Sequence, residues 1–179
     1  GGLFIGSGDP DTLKDAINRY NAASKVPLIV CADMEIGAGT TDSTLTKFTN
    51  MMGIAATRSE KLAYDYGKSV ALEAQSLGVN WLFSPVADLN KNPLNPVVNH
   101  RCTSDDPDLA IKMLSQIVRG MQDNGLAATV KHFPGDGIDH RDQHMVTTDN
   151  PLSYIDWLSY NGRVFQAMID LDVSSVMTG

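Results

Sequence analysis

The chain has 179 residues, 42% of them hydrophobic and 20% charged, a balance that belongs to folded globular domains and excludes disordered, collagenous and membrane-embedded classes. Its formal net charge of −7 and pI near 4.9 set the surface against nucleic acid and anionic membrane, because Lys and Arg are spread thinly and form no basic cluster. Two cysteines, Cys31 in an apolar run and Cys102 in a polar one, offer neither a disulfide framework nor metal-ligand spacing. No apolar run approaches the roughly eighteen residues of a membrane span, and no basic-then-apolar leader is present. The chain opens on Gly1-Gly2-Leu3 and reads as trimmed there, so the sequence leaves the compartment open.

Short apolar runs alternate with helical patterns. Residues 3–5 predict a first strand, and Asp9-Pro10 starts a helix, with a capping carboxylate before a proline at the first helical position. Residues 27–32 predict a second strand, followed by a long loop over 33–44. The next helix runs from Ser59 to Leu77, with Leu62, Ala63, Tyr66, Val70 and Leu77 available for its buried face and Gly78 as its stop. A third strand over 79–84 leads into another long loop, 88–105. Asp106-Pro107 then repeats the helix start, and Leu114, Ile117, Val118 and Met121 form one apolar face that ends near Asn124-Gly125. Residues 126–130 predict the fourth strand and 173–177 the fifth, with a capping box at Ser153-x-x-Asp156 between them. The strands are apolar enough to expect cover on both faces. This alternation predicts an α/β fold with a parallel sheet in one domain over 1–179. Five strands complete an open doubly wound sheet but not a (β/α)8 barrel of about 250 residues, so strand count does not choose between them.

The segment after the fourth strand carries the chemistry. Residues 131–144 read Lys-His-Phe-Pro-Gly-Asp-Gly-Ile-Asp-His-Arg-Asp-Gln-His, joining three imidazoles to three carboxylates in a Gly/Pro-rich loop. Parallel α/β enzymes present reactive groups at this end of a strand. A metal-dependent hydrolase is one reading, using His132, Asp136, His140, Asp142 and His144. The Pro-Gly-Asp-Gly stretch is a poor helix, however, so the His140-x-x-x-His144 spacing does not set two imidazoles on one face. No metal and no cofactor are expected.

Lys131-His-Phe-Pro-Gly135 followed by Asp142-Gln-His144 closely resembles the signature of glycoside hydrolase family 3, in particular its bacterial β-N-acetylglucosaminidases (β-hexosaminidases). Supporting stretches occur in the family's order: 27–37 with Asp33-Met-Glu35, 80–89 with Ser84-Pro-Val-Ala-Asp88, 101–107, and Val176-Met-Thr-Gly179 as a fifth strand. The resemblance implies a (β/α)8 TIM-barrel type of fold, present as about the first five βα units, whose open sheet edges invite self-association. Ile36 and Ser104 stand where the family usually has glycine, which puts backbone conformation near the sugar in question.

The resemblance also implies a retaining glycosidase acting on terminal β-N-acetylglucosaminides. His144 is the proton donor: an imidazole exchanges a proton near neutral pH unaided, whereas a carboxylic acid must first have its pKa raised. Asp142 fixes that ring's tautomer and orientation. Asp33, Arg101, Lys131 and His132 form the sugar subsite. The nucleophile is an aspartate expected beyond Gly179, so these residues alone should bind sugar weakly and not turn it over. Glu35 and Asp88 read as structural carboxylates that satisfy loop amides, His100 as a surface residue, and His140 carries no role. The alternatives are a β-glucosidase or glycoside phosphorylase of the same family, and a non-catalytic sugar-binding unit.

Overall fold

A computed structural model describes residues 1–179. Five strands, β1 (Gly2–Phe4), β2 (Ile29–Ala32), β3 (Trp81–Leu82), β4 (Ala127–Phe133) and β5 (Ser175–Thr178), form one parallel sheet in chain order. Helices α1 (Pro10–Ala23), α2 (Met51–Ala56), α3 (Glu60–Ser76), α4 (Pro107–Gln122), α5 (Tyr154–Trp157) and α6 (Arg163–Asp170) lie between them. Sequential order without a reversal is the barrel arrangement, here unclosed, with β1 and β5 each paired on one side only.

The expected caps form. Asp9 and Asp106 accept from the Thr12 and Asp108 N–H groups, Ser153 accepts from Asp156, and Gly78 takes a positive φ after α3. One helix-face expectation fails: Leu62 is half exposed. The buried stripe of α3 is Ala63, Tyr66, Gly67, Val70, Ala71 and Ala74, one residue further round the helix and built mostly from small side chains. Those small residues let α3 and α4 approach closely: a Cβ on Gly67 would fall 2.3 Å from the Ile117 carbonyl oxygen, and one on Gly120 2.3 Å from that of Tyr64. Helix α2 carries no sequence expectation.

The pleat sorts the strand residues into two sets. Val30, Ala32, Leu82, Ala128 and Val130 point outward and join the core with Ile17, Leu114, Ile117, Val164, Phe165 and Met168 of the helices. The opposite set includes Phe4, Ile29, Asp33, Trp81, Phe83, Thr129, Lys131, Ser175 and Met177, of which Thr129 and Lys131 are buried while Phe4 and Ile29 are exposed. Helices therefore cover one face of the sheet, and on the other face the central strands are covered too, with Cys31, Thr129 and Lys131 buried, while the outer strands stand open. Trp81 Nε1 donates to Thr129 Oγ1 at 2.6 Å and to Ser175 Oγ at 3.1 Å across the inner face, while Phe83 stacks on Phe4 and meets the Trp81 ring edge to face.

Candidate active site

The C-terminal ends of β2 and β4 bring the first charged pair together. Asp33 follows β2 and Lys131 lies within β4, both on the inner face, and Lys131 Nζ donates to Asp33 Oδ1 at 2.9 Å. Its second partner is Glu35 Oε1 at 2.8 Å, which leaves the Lys131 side chain 3% exposed between two carboxylates. Glu35 also receives Arg101, from Nε to Oε2 at 2.8 Å and from Nη2 to Oε1 at 2.7 Å, while Arg101 Nη1 donates to the Val97 carbonyl at 3.0 Å. Burial alone would raise the Glu35 pKa. The Arg101 hydrogen bonds and the charges of Lys131 and Arg101 outweigh it and hold the carboxyl at about 2. The same pairing raises Arg101.

His132 is held by a different carboxylate. Its Nδ1 lies 2.6 Å from Oδ2 of Asp88, which is fully buried and accepts the main-chain N–H groups of His132 (3.2 Å) and Asp136 (2.7 Å). The β4–β5 register slips between Lys131 and Phe133, and the Lys131 and His132 side chains line one cleft although they are neighbours in a strand. Asp136 stands 3.8 Å from the His132 ring, its pKa raised by burial and by the facing Asp88 charge.

In the loop beyond, His144 Nδ1 lies 2.7 Å from Asp142 Oδ1, and the His144 N–H donates to the same oxygen at 2.9 Å. These two bonds lower the Asp142 pKa, the main-chain bond more than the ring bond. A carboxylate on Nδ1 makes that nitrogen the donor, leaving Nε2 for the cleft.

The cleft measures about 690 Å³. Asp33, Arg101, Lys131, His132 and His144 all line it, together with Glu35, Ile36, His100 and Met177. Asp142 stands behind His144 and does not line it. His100 is exposed, as expected, but on the cleft wall. Neither Ile36 nor Ser104 has a positive φ; Gly37 takes that conformation at 101°, with a Cβ position 2.5 Å from the Thr46 carbonyl oxygen. The five residues of the metal reading are not brought together: the His140 ring is exposed and meets Asp139, at 3.6 Å. Asp88, His132 and Asp136 do place ligand atoms within 4.8 Å of one another.

Sequence reasoning set Glu35 and Asp88 aside as structural. Both do satisfy or brace loop groups, yet they also position three of the four expected sugar-side residues. Glu35 offered one signal, its place two residues after Asp33 in the loop that leaves the second strand. Asp88 offered none, since its partner is 44 residues away.

Comparison with known proteins gives a consistent picture. The Glycosyl hydrolase family 3 N terminal domain profile matches residues 1–179. A β-N-acetylglucosaminidase/β-glucosidase from Cellulomonas fimi is 35% identical over 179 residues, covering 100% of this chain and 32% of its own length. A β-hexosaminidase from Stenotrophomonas maltophilia is 31% identical over 172 residues, covering 91% of this chain and 50% of its own. Among solved structures, β-glucoside phosphorylase BglX superposes with a TM-score of 0.94 at 34% identity, over 98% of this chain and 32% of that one. A family 3 β-N-acetylglucosaminidase from Paenibacillus sp. str. FPU-7 gives 0.90 at 30% identity, over 99% and 36%. The chain thus spans about a third to a half of the length of these relatives. With a family profile matched from first residue to last and the parallel, sequentially ordered sheet that carries it, the chain belongs to glycosyl hydrolase family 3, as its N-terminal domain.

Proposed function

We propose that this domain belongs to a retaining glycosidase acting on terminal β-N-acetylglucosaminides, with His144 as acid/base and Asp142 as the group that orients it. One observation carries the reading: the His144 ring lines the same cleft as Asp33, Arg101, Lys131 and His132, with Nδ1 tied to a carboxylate and Nε2 free. Asp33 accepts from sugar hydroxyls, while Arg101, Lys131 and His132 donate to them. Buried and multiply bonded side chains such as Lys131 lose little further freedom when a ring arrives. Proton transfer from Nε2 to the departing oxygen is the step for which the Asp142–His144 pair is built. The names of the Cellulomonas, Stenotrophomonas and Paenibacillus relatives support the N-acetylglucosaminide as the sugar.

A second reading transfers the glycosyl group to phosphate. The resemblance to β-glucoside phosphorylase favours it, and an imidazole acid/base avoids the repulsion that a carboxylate would exert on an arriving anion.

The test is turnover of 4-nitrophenyl N-acetyl-β-glucosaminide by the protein that carries this domain, with and without phosphate. Hydrolysis in both conditions supports the first reading, and a rate that needs phosphate and yields a sugar 1-phosphate supports the second. Removing the acid/base group should cost about 10²- to 10⁴-fold in kcat. Undiminished turnover by His144→Ala would exclude both.

A further inference from the structure

The Asp142–His144 pair has few attachments to the rest of the domain. Both bonds to Asp142 Oδ1 come from His144, and the turn closes on itself through the Met145 and Val146 N–H groups, which donate to the Asp142 carbonyl. Met145 is 80% exposed and Val146 48%, so apolar packing does not hold the turn in place. Its geometry depends on what fixes its base.

That base is gathered on one carboxylate. Asp139 accepts from the Arg141 N–H at 2.9 Å, from Arg141 Nε at 3.0 and 3.1 Å and from Arg141 Nη2 at 2.5 Å, all on the entry side of the turn. From the exit side it accepts the Asp149 N–H at 2.8 Å, and Arg141 Nη2 reaches across to Asp149 Oδ2 at 3.2 Å. Residues ten apart in the chain are therefore closed into a ring by one side chain, which is 8% exposed although its partners are open to solvent.

The ring is itself anchored. Asn95 Nδ2 donates to the Asp139 carbonyl at 2.7 Å and Asn92 Nδ2 to the Ile138 carbonyl at 2.9 Å, while Asn95, 2% exposed, is fixed by the Val97 and Val98 N–H groups on its Oδ1. A second tether runs from Gln143 Nε2 to Asp136 Oδ2 at 2.7 Å. An isolated surface ion pair contributes little. Asp139 differs because it accepts two main-chain N–H groups from opposite ends of one loop.

We propose that Asp139, Arg141 and Asp149 form a clasp that positions the acid/base loop, setting the reach of His144 toward the glycosidic oxygen. None of the three lines the cleft, so these are positioning residues, and the inference rests on the reading of His144 as proton donor. Loss of the clasp leaves the sugar subsite of Asp33, Arg101, Lys131 and His132 intact, because none of its bonds involves those residues.

Proton donation matters in proportion to the basicity of the leaving group. A phenolate departs poorly without a proton, whereas 2,4-dinitrophenolate departs unaided. The test compares kcat/KM of the whole protein on phenyl and 2,4-dinitrophenyl N-acetyl-β-glucosaminides, for the parent, His144→Ala, Arg141→Ala, Arg141→Lys and Asp139→Asn. Arg141→Ala should lose about 10- to 100-fold on the phenyl glycoside and less than about threefold on the dinitrophenyl one, the scale of a misplaced but intact catalytic group. His144→Ala should show the same selectivity more deeply, and Arg141→Lys should recover part of the loss. Asp139→Asn serves as the second probe should Arg141→Ala fail to fold, and it should share the selective loss. If His144→Ala is selective but Arg141→Ala and Asp139→Asn lower both substrates equally, or neither, the clasp has no positioning role. If His144→Ala is itself unselective, the proton-donor reading fails, and the role of the clasp fails with it.

Discussion

Glu35 links the stability of the cleft to acid. Its side chain is 17% exposed and carries both Lys131 and Arg101, and its pKa of about 2 lies below the ordinary 4.5 that it regains on unfolding. A carboxyl depressed in the folded state stabilises fully above the unfolded value and loses that contribution as pH falls toward the folded one. The window here runs from about pH 4.5 down to about 2, with ~3 kcal/mol as the upper limit. Glu35→Gln should destabilise the domain by up to about 3 kcal/mol at neutral pH, since it takes a carboxylate from the buried Lys131 and the partly buried Arg101. Urea midpoints should show the gap between variant and parent narrowing across that window; parallel pH curves would show that the pairing is energetically idle. Residues such as Lys131, His132, Asp142 and His144 could be read from sequence because each sits beside its chemical partner or at a strand end. Glu35 and Arg101 could not be paired that way, being 66 residues apart.

At the scale of the element, the caps and strand positions followed directly from the chain. Proline after aspartate and glycine after a helix have strong local causes that tertiary packing does not override. The face of α3 was different. Large apolar residues drew attention to Leu62, but the close approach to α4 is made at Gly67, against Ile117 and Gly120, where small size is the asset. Helix α2 escaped notice because Met51–Ala56 is too short to show a period, and Asn50 gives it no side-chain cap bond. Gly120 offers a sharp check on the packing. In an exposed helix interior Gly→Ala stabilises by up to about 1 kcal/mol, but here the new Cβ meets backbone of α3 that cannot swing aside. Gly120→Ala should instead cost about 1–3 kcal/mol, read from the urea midpoint, and a stabilised variant would mean that α3 and α4 are not held this close.

For the molecule as a whole, the sheet has two one-sided strands, and apolar side chains mark both ends. Phe4 on β1 is 58% exposed and Val176 on β5 is 38% exposed. Unpaired edges of this kind template association with a second chain. The 179 residues expressed by themselves should therefore self-associate, with a sedimentation coefficient that rises across a concentration series. Phe4→Lys combined with Val176→Lys should suppress the rise, and a concentration-independent monomer in the parent would refute the idea. Strand count alone did not choose between an open sheet and a barrel, although the family resemblance implied the barrel. Strand order resolved that, since β1 to β5 run in sequence without the reversal of a doubly wound sheet.

The bonds from Asn92 and Asn95 to the backbone at residues 138 and 139, together with Asp88 beneath His132 and Asp136, tie the loop after β3 to the loop after β4. The two connections are thus a single mechanical part encoded in separate stretches of gene. Anyone transplanting either loop from a related chain should carry both across, because a lone graft arrives without the asparagines, or without the carbonyls they grip.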